Sequence, residues 1–207
     1  MIIDIAAIIV VLFFAIILHE CAHGWIAYQL GDPTAKQAGR LTLNPFKHVD
    51  PFGTLLLPGI LLTLRFLGLN TFVFGWAKPV PVSFSRLRNP KRDMIWVGLA
   101  GPAMNIGLAV IFSLLLRLNT ERSLTEILEF AVFINLLLAV FNLIPIPPLD
   151  GSRLVMGLLP NRYFLSYSRL ERYGLLIVIL LLYVGLFEHI LFPIISFLGQ
   201  LLGVRFS

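Results

Sequence analysis

The chain has 207 residues, of which 58% are hydrophobic and only 13% are charged. Soluble domains average about 45–50% apolar and about 25% charged residues, so this composition excludes an ordinary water-soluble enzyme. The net charge of +5 could suggest a nucleic-acid partner. However, the basic residues stand in short groups beside apolar runs, as membrane orientation requires, and we expect no nucleic-acid ligand. A single cysteine, Cys21, excludes an intramolecular disulfide and a thiolate metal cluster.

Four segments are apolar and long enough to cross a membrane. A bilayer core of about 30 Å requires about 20 helical residues. The predicted spans are about 2–30, 92–117, 124–149 and 172–200. The first has Asp4 in place of a basic leader region and no small-residue cleavage site after it, so we expect a retained helix. The predicted fold class is an all-α polytopic membrane protein.

The stretch from about 51 to 77 is apolar but is interrupted by Pro58, Gly59, Arg65 and Gly68. If it crosses once, the lysines and arginines divide ten to six between the two sides of the membrane. If it is re-entrant or crosses twice, they divide thirteen to three. The positive-inside rule favours the second arrangement, with the N-terminus outside. We therefore predict a re-entrant or additional membrane segment, and its crossing number stays open.

Two polar connections, residues 31–50 and 75–92, flank this stretch. Both mix β-forming residues with proline and glycine, so we expect small β and loop elements near the cytoplasmic face. The roles of two polar pairs, one before the re-entrant stretch and one in the last span, stay open: His48 with Asp50, and Glu188 with His189.

The first span ends in His19-Glu20-Cys21-Ala22-His23, an H-E-x-x-H pattern. Residues four apart share one face of a helix, so His19 and His23 can direct both imidazoles at one cation. Glu20 lies about 100° around the helix, where its carboxylate can act as a base on a metal-bound water. Two histidines beside a glutamate are costly in a membrane helix unless they are paired, which favours metal binding. Catalytic zinc has three protein ligands and one open position, so a third ligand must come from elsewhere.

Asp150 is the candidate third ligand. It follows an uncharged span, and Pro145, Pro147 and Pro148 before it deny a regular helix. Non-helical backbone at membrane depth is tolerated only where it is buried in protein or lines a water-filled cavity. At about 1.5 Å per residue, His19 lies roughly 25 Å into its span, and Asp150 ends its own span after a similar number of residues. Both ligand groups therefore reach a comparable depth.

The sequence resembles the site-2 protease family of intramembrane zinc metalloproteases, in a short prokaryotic form without extra domains. Four segments carry the resemblance: HECAHG at 19–24, GWAKPVPV at 75–82, GPAMN at 101–105 and NLIPIPPLDG at 142–151. The paired H-E-x-x-H and Asp-Gly motifs, in this order on separate spans, are highly specific. The resemblance implies a single membrane-embedded metalloprotease domain over 1–207.

The family resemblance also implies the site. One zinc ion per chain would be bound by His19, His23 and Asp150, with Glu20 as the catalytic base and Asn142 assisting the tetrahedral intermediate. The implied substrates are transmembrane proteins or peptides, hydrolysed in or near their membrane segments. We expect a multi-pass protein of the prokaryotic inner membrane, surrounded by lipid, with its active site toward the cytoplasm. The sequence does not determine the oligomeric state.

Two residues within these motifs are expected to be structural. Asn105 is expected to hydrogen-bond between helices, next to glycines that permit close packing. Cys21 is expected to pack away from the histidine face of its helix.

Two other functions stay open. A catalytically silent relative could serve as a membrane binding or chaperone module, although Glu20 and every candidate ligand are present in this sequence. A metal or proton transporter would offer a chain of polar sites along a path, whereas this sequence groups its candidates at one site.

Overall fold

The computed structural model describes residues 5–69, 75, 77–119 and 121–206, and every regular element among them is helical. The α-helices are α1 (Ile5–Gln29), α2 (Thr34–Gln37), α3 (Leu57–Phe66), α4 (Pro90–Leu118), α5 (Arg122–Asn142), α6 (Gly151–Leu158), α7 (Asn161–Ser168), α8 (Glu171–Tyr183) and α9 (Phe192–Leu201). π-Helical turns precede α3 at Pro51–Leu56 and α9 at Phe187–Leu191, and short 3-10 turns occur at Pro45–Lys47 and Phe84–Arg86. The predicted all-α polytopic class is confirmed.

Three of the described helices are long and apolar enough to cross a bilayer: Ala6–Gln29, Pro90–Leu118 and Leu124–Asn142. Only 28–33% of the residues in their most apolar windows are buried. Most of this apolar surface therefore faces outward, where lipid accommodates it and water would not. The outward apolar surface identifies a multi-pass integral membrane protein.

The segment predicted as a fourth span is divided in two. α8 and the helical run Phe187–Leu201 meet at an angle of 73°. Gly185 lies at the break with a φ of +95°, a left-handed conformation that glycine adopts without the steric cost of a Cβ. The two parts cross the membrane as one broken span or turn back within it, so a fourth crossing stays a prediction.

The third span is shorter than the sequence predicted. α5 ends at Asn142, and residues 143–149 form irregular turns before α6 begins at Gly151. The prolines of this connection cannot donate to a helical ladder, and each clashes with the preceding turn. The irregular backbone delivers Asp150 to the start of α6.

The strands expected in 31–50 and 75–92 are not found among the described residues of these segments, so that prediction is wrong. Residues 77–83, which we call the proline segment, have no regular structure. Pro79 and Pro81 have no N–H to give to a strand ladder. The N–H groups of Lys78, Val80 and Ser83 bond to a loop carbonyl and to side chains instead, as described below.

The stretch predicted as re-entrant begins with one short apolar helical run, Pro51–Phe66. Asp50 caps this run by accepting hydrogen bonds from the N–H groups of Phe52 and Gly53. The run is shorter than the about 20 residues that a full crossing needs. Residues 70–74 and 76 lie outside the described part of the chain, so the crossing number stays a prediction.

The long helix α4 organises the bundle. It packs against α1, α5 and α6, and α5 packs in turn against α9. Fully buried apolar side chains from these helices form the main core, among them Ala109, Val132, Leu136 and Ile195. Because α4 contacts both α1 and α6, it fixes the H-E-x-x-H helix relative to the turn that carries Asp150.

Candidate active site

Three side chains from distant parts of the chain converge at one point. The Nε2 atoms of His19 and His23 lie 3.0 Å apart. The Oδ2 atom of Asp150 lies 3.0 Å from the first and 3.1 Å from the second. Both histidines are buried, at 6% and 8% exposure. Among the described residues, this is the one group of three or more His, Cys, Asp or Glu side chains that could hold a metal.

Hydrogen bonds to the outer ring nitrogens fix the imidazole tautomers. The Nδ1–H of His19 donates to Oδ1 of Asn105 over 2.5 Å, and that of His23 donates to the carbonyl of Val97 over 2.7 Å. Each Nε2 is then left with a lone pair, and both lone pairs point at the carboxylate of Asp150. Three lone pairs this close repel one another unless a cation lies among them.

The donor set fits zinc. Tetrahedral zinc with ligand bonds of roughly 2.0–2.1 Å holds neighbouring ligand atoms about 3.3 Å apart. The three distances among His19, His23 and Asp150 are 3.0–3.1 Å, close to that spacing. Two imidazoles and one carboxylate leave the fourth tetrahedral position open for water and substrate.

Glycines on α4 allow the helix backbone to approach the ligands. A Cβ atom at Gly101 would lie 2.5 Å from Nε2 of His19. A Cβ atom at Gly98 would lie 3.0 Å from the carbonyl oxygen of Asp150. The same helix therefore packs against both halves of the site, and the GPAMN motif begins with the residue that lies closest to the imidazoles.

Asn105 contacts a candidate ligand and also connects helices. Besides accepting from His19, its amide donates to Oδ1 of Asn135 over 2.8 Å and to the carbonyl of Ala15 over 3.3 Å. Asn105 and Asn135 are both fully buried. The expected bond between helices is present, and it joins α1, α4 and α5.

Sequence reasoning missed the contact between Asn105 and a ligand, and it did not single out Asn135. One signal could have found the first. Asn105 lies four residues after Gly101, so both project from the same face of α4. No comparable spacing signal marks Asn135.

The Asn105→Leu variant is expected to bind zinc about 10- to 100-fold more weakly, because a second-shell partner orients its histidine ligand and raises its basicity. Asn105→Asp keeps an oxygen acceptor for His19 and should lose less. Competition with a chelator measures the affinity. Ser113→Ala is the matched control, since Ser113 is a buried residue of α4 whose hydroxyl donates to the carbonyl of Val110 in its own helix. Wild-type affinity in Asn105→Leu would contradict the assignment.

Glu20, the predicted base, lies next to His19 on α1. Its Oε2 atom accepts a hydrogen bond of 2.8 Å from the backbone N–H of Val80 in the proline segment. Gly24 makes this approach possible, because a Cβ atom there would lie 2.7 Å from Cγ1 of Val80. The carboxylate is therefore held by a backbone donor sixty residues away in sequence.

Other polar residues singled out in the sequence lie outside the ligand cluster. Asn142, the last residue of α5, donates its side-chain amide to the carbonyl of Leu138 in its own helix over 2.9 Å. His48 is fully buried, while Asp50 caps a helix. Glu188 and His189 belong to the π-helical turn after the bend of the last helix pair.

Similarity to known proteins was found along most of the chain. Residues 118–185 match peptidase family M50. YwhC of Bacillus subtilis, named as a candidate zinc metalloprotease, is 36% identical over 199 residues, which cover 91% of this chain and 85% of YwhC. Rip2 of Mycolicibacterium smegmatis and Rip2 of Mycobacterium tuberculosis, both named in the same way, are 30% and 29% identical over 90% of this chain and 70% of their own length. No solved structure gives a significant match.

The chain belongs to peptidase family M50, the site-2 protease family. It is a zinc metalloprotease, with zinc as its cofactor, built on membrane-spanning helices. The resemblance drawn from the sequence motifs is thereby confirmed.

Proposed function

We propose that the protein is an intramembrane endopeptidase that hydrolyses peptide bonds in or near transmembrane segments of other proteins. The observation that carries this proposal is the convergence of His19 and His23, both inside a membrane-spanning helix, with Asp150 and with a glutamate adjacent to the first histidine. A zinc protease that acts on soluble substrates has no need of ligands inside a membrane helix, where polar groups are costly.

The three proposed ligands lie on different elements of the structure and would bind the same zinc ion. His19 and His23 are preset by their bonds to Asn105 and Val97, and Asp150 approaches from the turn before α6. When bound by these three residues, zinc supplies a water of lowered pKa and polarises the carbonyl to be attacked.

Glu20 is the general base in this proposal. Its carboxylate accepts the proton of the attacking water and then delivers it to the nitrogen of the leaving amine. The hydrogen bond from the N–H of Val80 uses one lone pair of the Oε2 atom of Glu20 and fixes the orientation of the carboxylate. Asn142 is proposed to donate to the oxyanion that develops on the attacked carbonyl. The amide nitrogen carries two N–H groups, and one of them donates to Leu138 in the structure.

The proposed substrates are transmembrane helices that contain helix-weakening residues. A substrate carbonyl in a regular helix is hydrogen-bonded and shielded by side chains, so the helix must unwind before attack. The asymmetry of basic residues supports an orientation with the site toward the cytoplasm, and we propose the prokaryotic inner membrane as its location. Peptide hydrolysis at this depth would separate a cytoplasmic portion of the substrate from its membrane anchor.

The test is cleavage of single-span substrates in membranes by the wild type and by Glu20→Gln, with zinc content measured for both. The substrate panel contains pairs that differ only by glycine or leucine within the span. We expect the wild type to cut the glycine members, and Glu20→Gln to retain zinc and lose about 10²- to 10⁴-fold in rate.

Two outcomes would contradict the proposal. A wild-type protein that contains zinc and cuts no member of the panel would favour the silent binding module. If the wild-type protein contained no metal, the proposed zinc-dependent mechanism would be wrong.

A further inference from the structure

We propose that Arg40 and His48 are positioning residues that act on Glu20 through the proline segment (77–83). The inference rests on the proposed function, since it takes Glu20 to be the base. It adds two buried residues that lie outside the ligand cluster, and it gives His48 a role that the sequence left open.

The first step is the contact at the base itself. Pro79 and Pro81 have no N–H, so Val80 carries the only backbone donor between them, and it donates to Glu20. The side chain of Val80 is 6% exposed and packs against α1 beside Gly24. The position of the Val80 backbone therefore sets the position of the carboxylate.

Arg40 holds the residues immediately before Val80. Its Nη2 atom donates to the carbonyl of Lys78 over 2.8 Å and to that of Pro79 over 3.3 Å. Arg40 is 8% exposed, and its Nε has no hydrogen-bond partner. Among the described residues, no carboxylate forms an ion pair with it.

A buried guanidinium paired only with backbone carbonyls is expensive, because its charge is removed from water without a compensating anion. An apolar side chain of similar length would fill the same space at lower cost. The two N–H groups of Nη2, however, can donate to two adjacent carbonyls at once, which favours a positioning role.

His48 contacts the same segment, also at Lys78. Its carbonyl accepts from the N–H of Lys78 over 2.9 Å, and its fully buried ring donates through Nε2 to the carbonyl of Thr42 over 2.8 Å. That carbonyl also accepts from the thiol of Cys21 over 3.3 Å. His48 therefore links the proline segment to the residue that follows Glu20 on α1.

The far end of the proline segment has its own anchor. The N–H of Ser83 donates to Oδ2 of Asp32 over 2.6 Å. Burial raises the pKa of Asp32, but hydrogen bonds from the side chain and backbone of Thr34 and from Ser83 outweigh it, so the pKa lies below its ordinary value. Because this anchor does not involve Arg40 or His48, their loss should free the Val80 end without detaching the segment.

The experiment uses the full-length protein in membranes and its single native cysteine. Arg40→Gln and His48→Leu are compared with the wild type for kcat, KM, zinc content and the rate at which N-ethylmaleimide labels Cys21. We expect kcat to fall about 10- to 100-fold, as for a misplaced catalytic group, with KM and zinc content unchanged. Labelling of Cys21 should become several-fold faster in His48→Leu, since the ring that bonds to the partner carbonyl of Cys21 is removed.

Two control variants separate positioning from general damage. His48→Gln keeps a donor for Thr42 and should restore the wild-type labelling rate and most of kcat. Lys47→Gln changes an exposed residue of the same loop and should behave as wild type.

A matched pair at Val80 tests the last step directly. Val80→Pro removes the N–H that reaches Glu20, whereas Val80→Ala keeps it. Val80→Pro should lose kcat to the same extent as Arg40→Gln while Cys21 labels at the wild-type rate. Val80→Ala should lose less.

Three results would overturn the inference: wild-type labelling in His48→Leu, loss of zinc in both Arg40→Gln and His48→Leu, or equal kcat in the two Val80 variants. Failure of the proposed function looks different. If Glu20→Gln cuts as well as the wild type, the assignment of Glu20 as the base is wrong. The labelling of Cys21, faster in His48→Leu and restored in His48→Gln, still tests the contact between the 42–48 loop and α1.

Discussion

Asp150→Asn is expected to remove zinc from the purified protein and to abolish cleavage with it. Structural zinc sites bind with about 10–16 kcal/mol, so one of three protein ligands accounts for roughly 3–5 kcal/mol, or about 10²- to 10⁴-fold in affinity. An amide oxygen is a poorer ligand than a carboxylate and carries no charge to offset the cation. No other carboxylate in this group of His19, His23 and Asp150 can replace the lost charge.

Elemental analysis of the purified protein measures the zinc, and cleavage in membranes measures activity. Asp93→Asn is the matched control, since Asp93 is a buried aspartate that caps the start of α4 through the N–H of Asn89. It should retain zinc at the wild-type level. Retention of zinc by Asp150→Asn would mean that the third ligand is another residue.

The ligands could be predicted from the sequence because their signals are local. His19 and His23 follow from a four-residue spacing on one helix face. Asp150 could be predicted because prolines interrupt an apolar span just before its carboxylate. The structure places the candidate ligand atoms of these three residues within 3.1 Å of one another, and their role as zinc ligands stays a prediction.

The groups that support the ligands could not be predicted, because their partners are distant in sequence. Asn105 is 86 residues from His19, and Val80 is 60 residues from Glu20. Pairing over such distances depends on how α1, α4 and the proline segment pack, and no periodicity within one segment specifies that packing.

The errors in the fold prediction have the same kind of cause. Strands were expected in 75–92 from its β-forming residues, but Pro79 and Pro81 remove the donors that a ladder needs. The third span was predicted to continue past Asn142 to residue 149, but the prolines in that stretch end the helix. In both cases proline chemistry overrode residue preference. The bend at Gly185 was marked in the sequence only by the charged pair that follows it.

Gly101→Ala is expected to disable the zinc site without unfolding the protein. A Cβ atom at this position would lie 2.5 Å from Nε2 of His19, well inside contact distance, and would also strike the ring of His23. The two imidazoles cannot easily yield, because Asn105 and the carbonyl of Val97, both on α4 as well, hold their outer nitrogens. A displacement of about 1 Å at a catalytic centre can cost about 100-fold in rate, and we expect at least that loss of cleavage together with weakened zinc binding.

The helix itself should gain from the change. Alanine is favoured over glycine in a helix interior by about 0.5–1 kcal/mol, so thermal unfolding should show no loss of stability beyond the contribution of bound zinc. Gly107→Ala on the same helix is the control, since a Cβ atom there meets nothing within 4 Å. It should keep zinc and activity. If Gly101→Ala kept both as well, the imidazoles would have to lie farther from α4 than the structure places them, and the close approach of α4 would have no part in shaping the metal site.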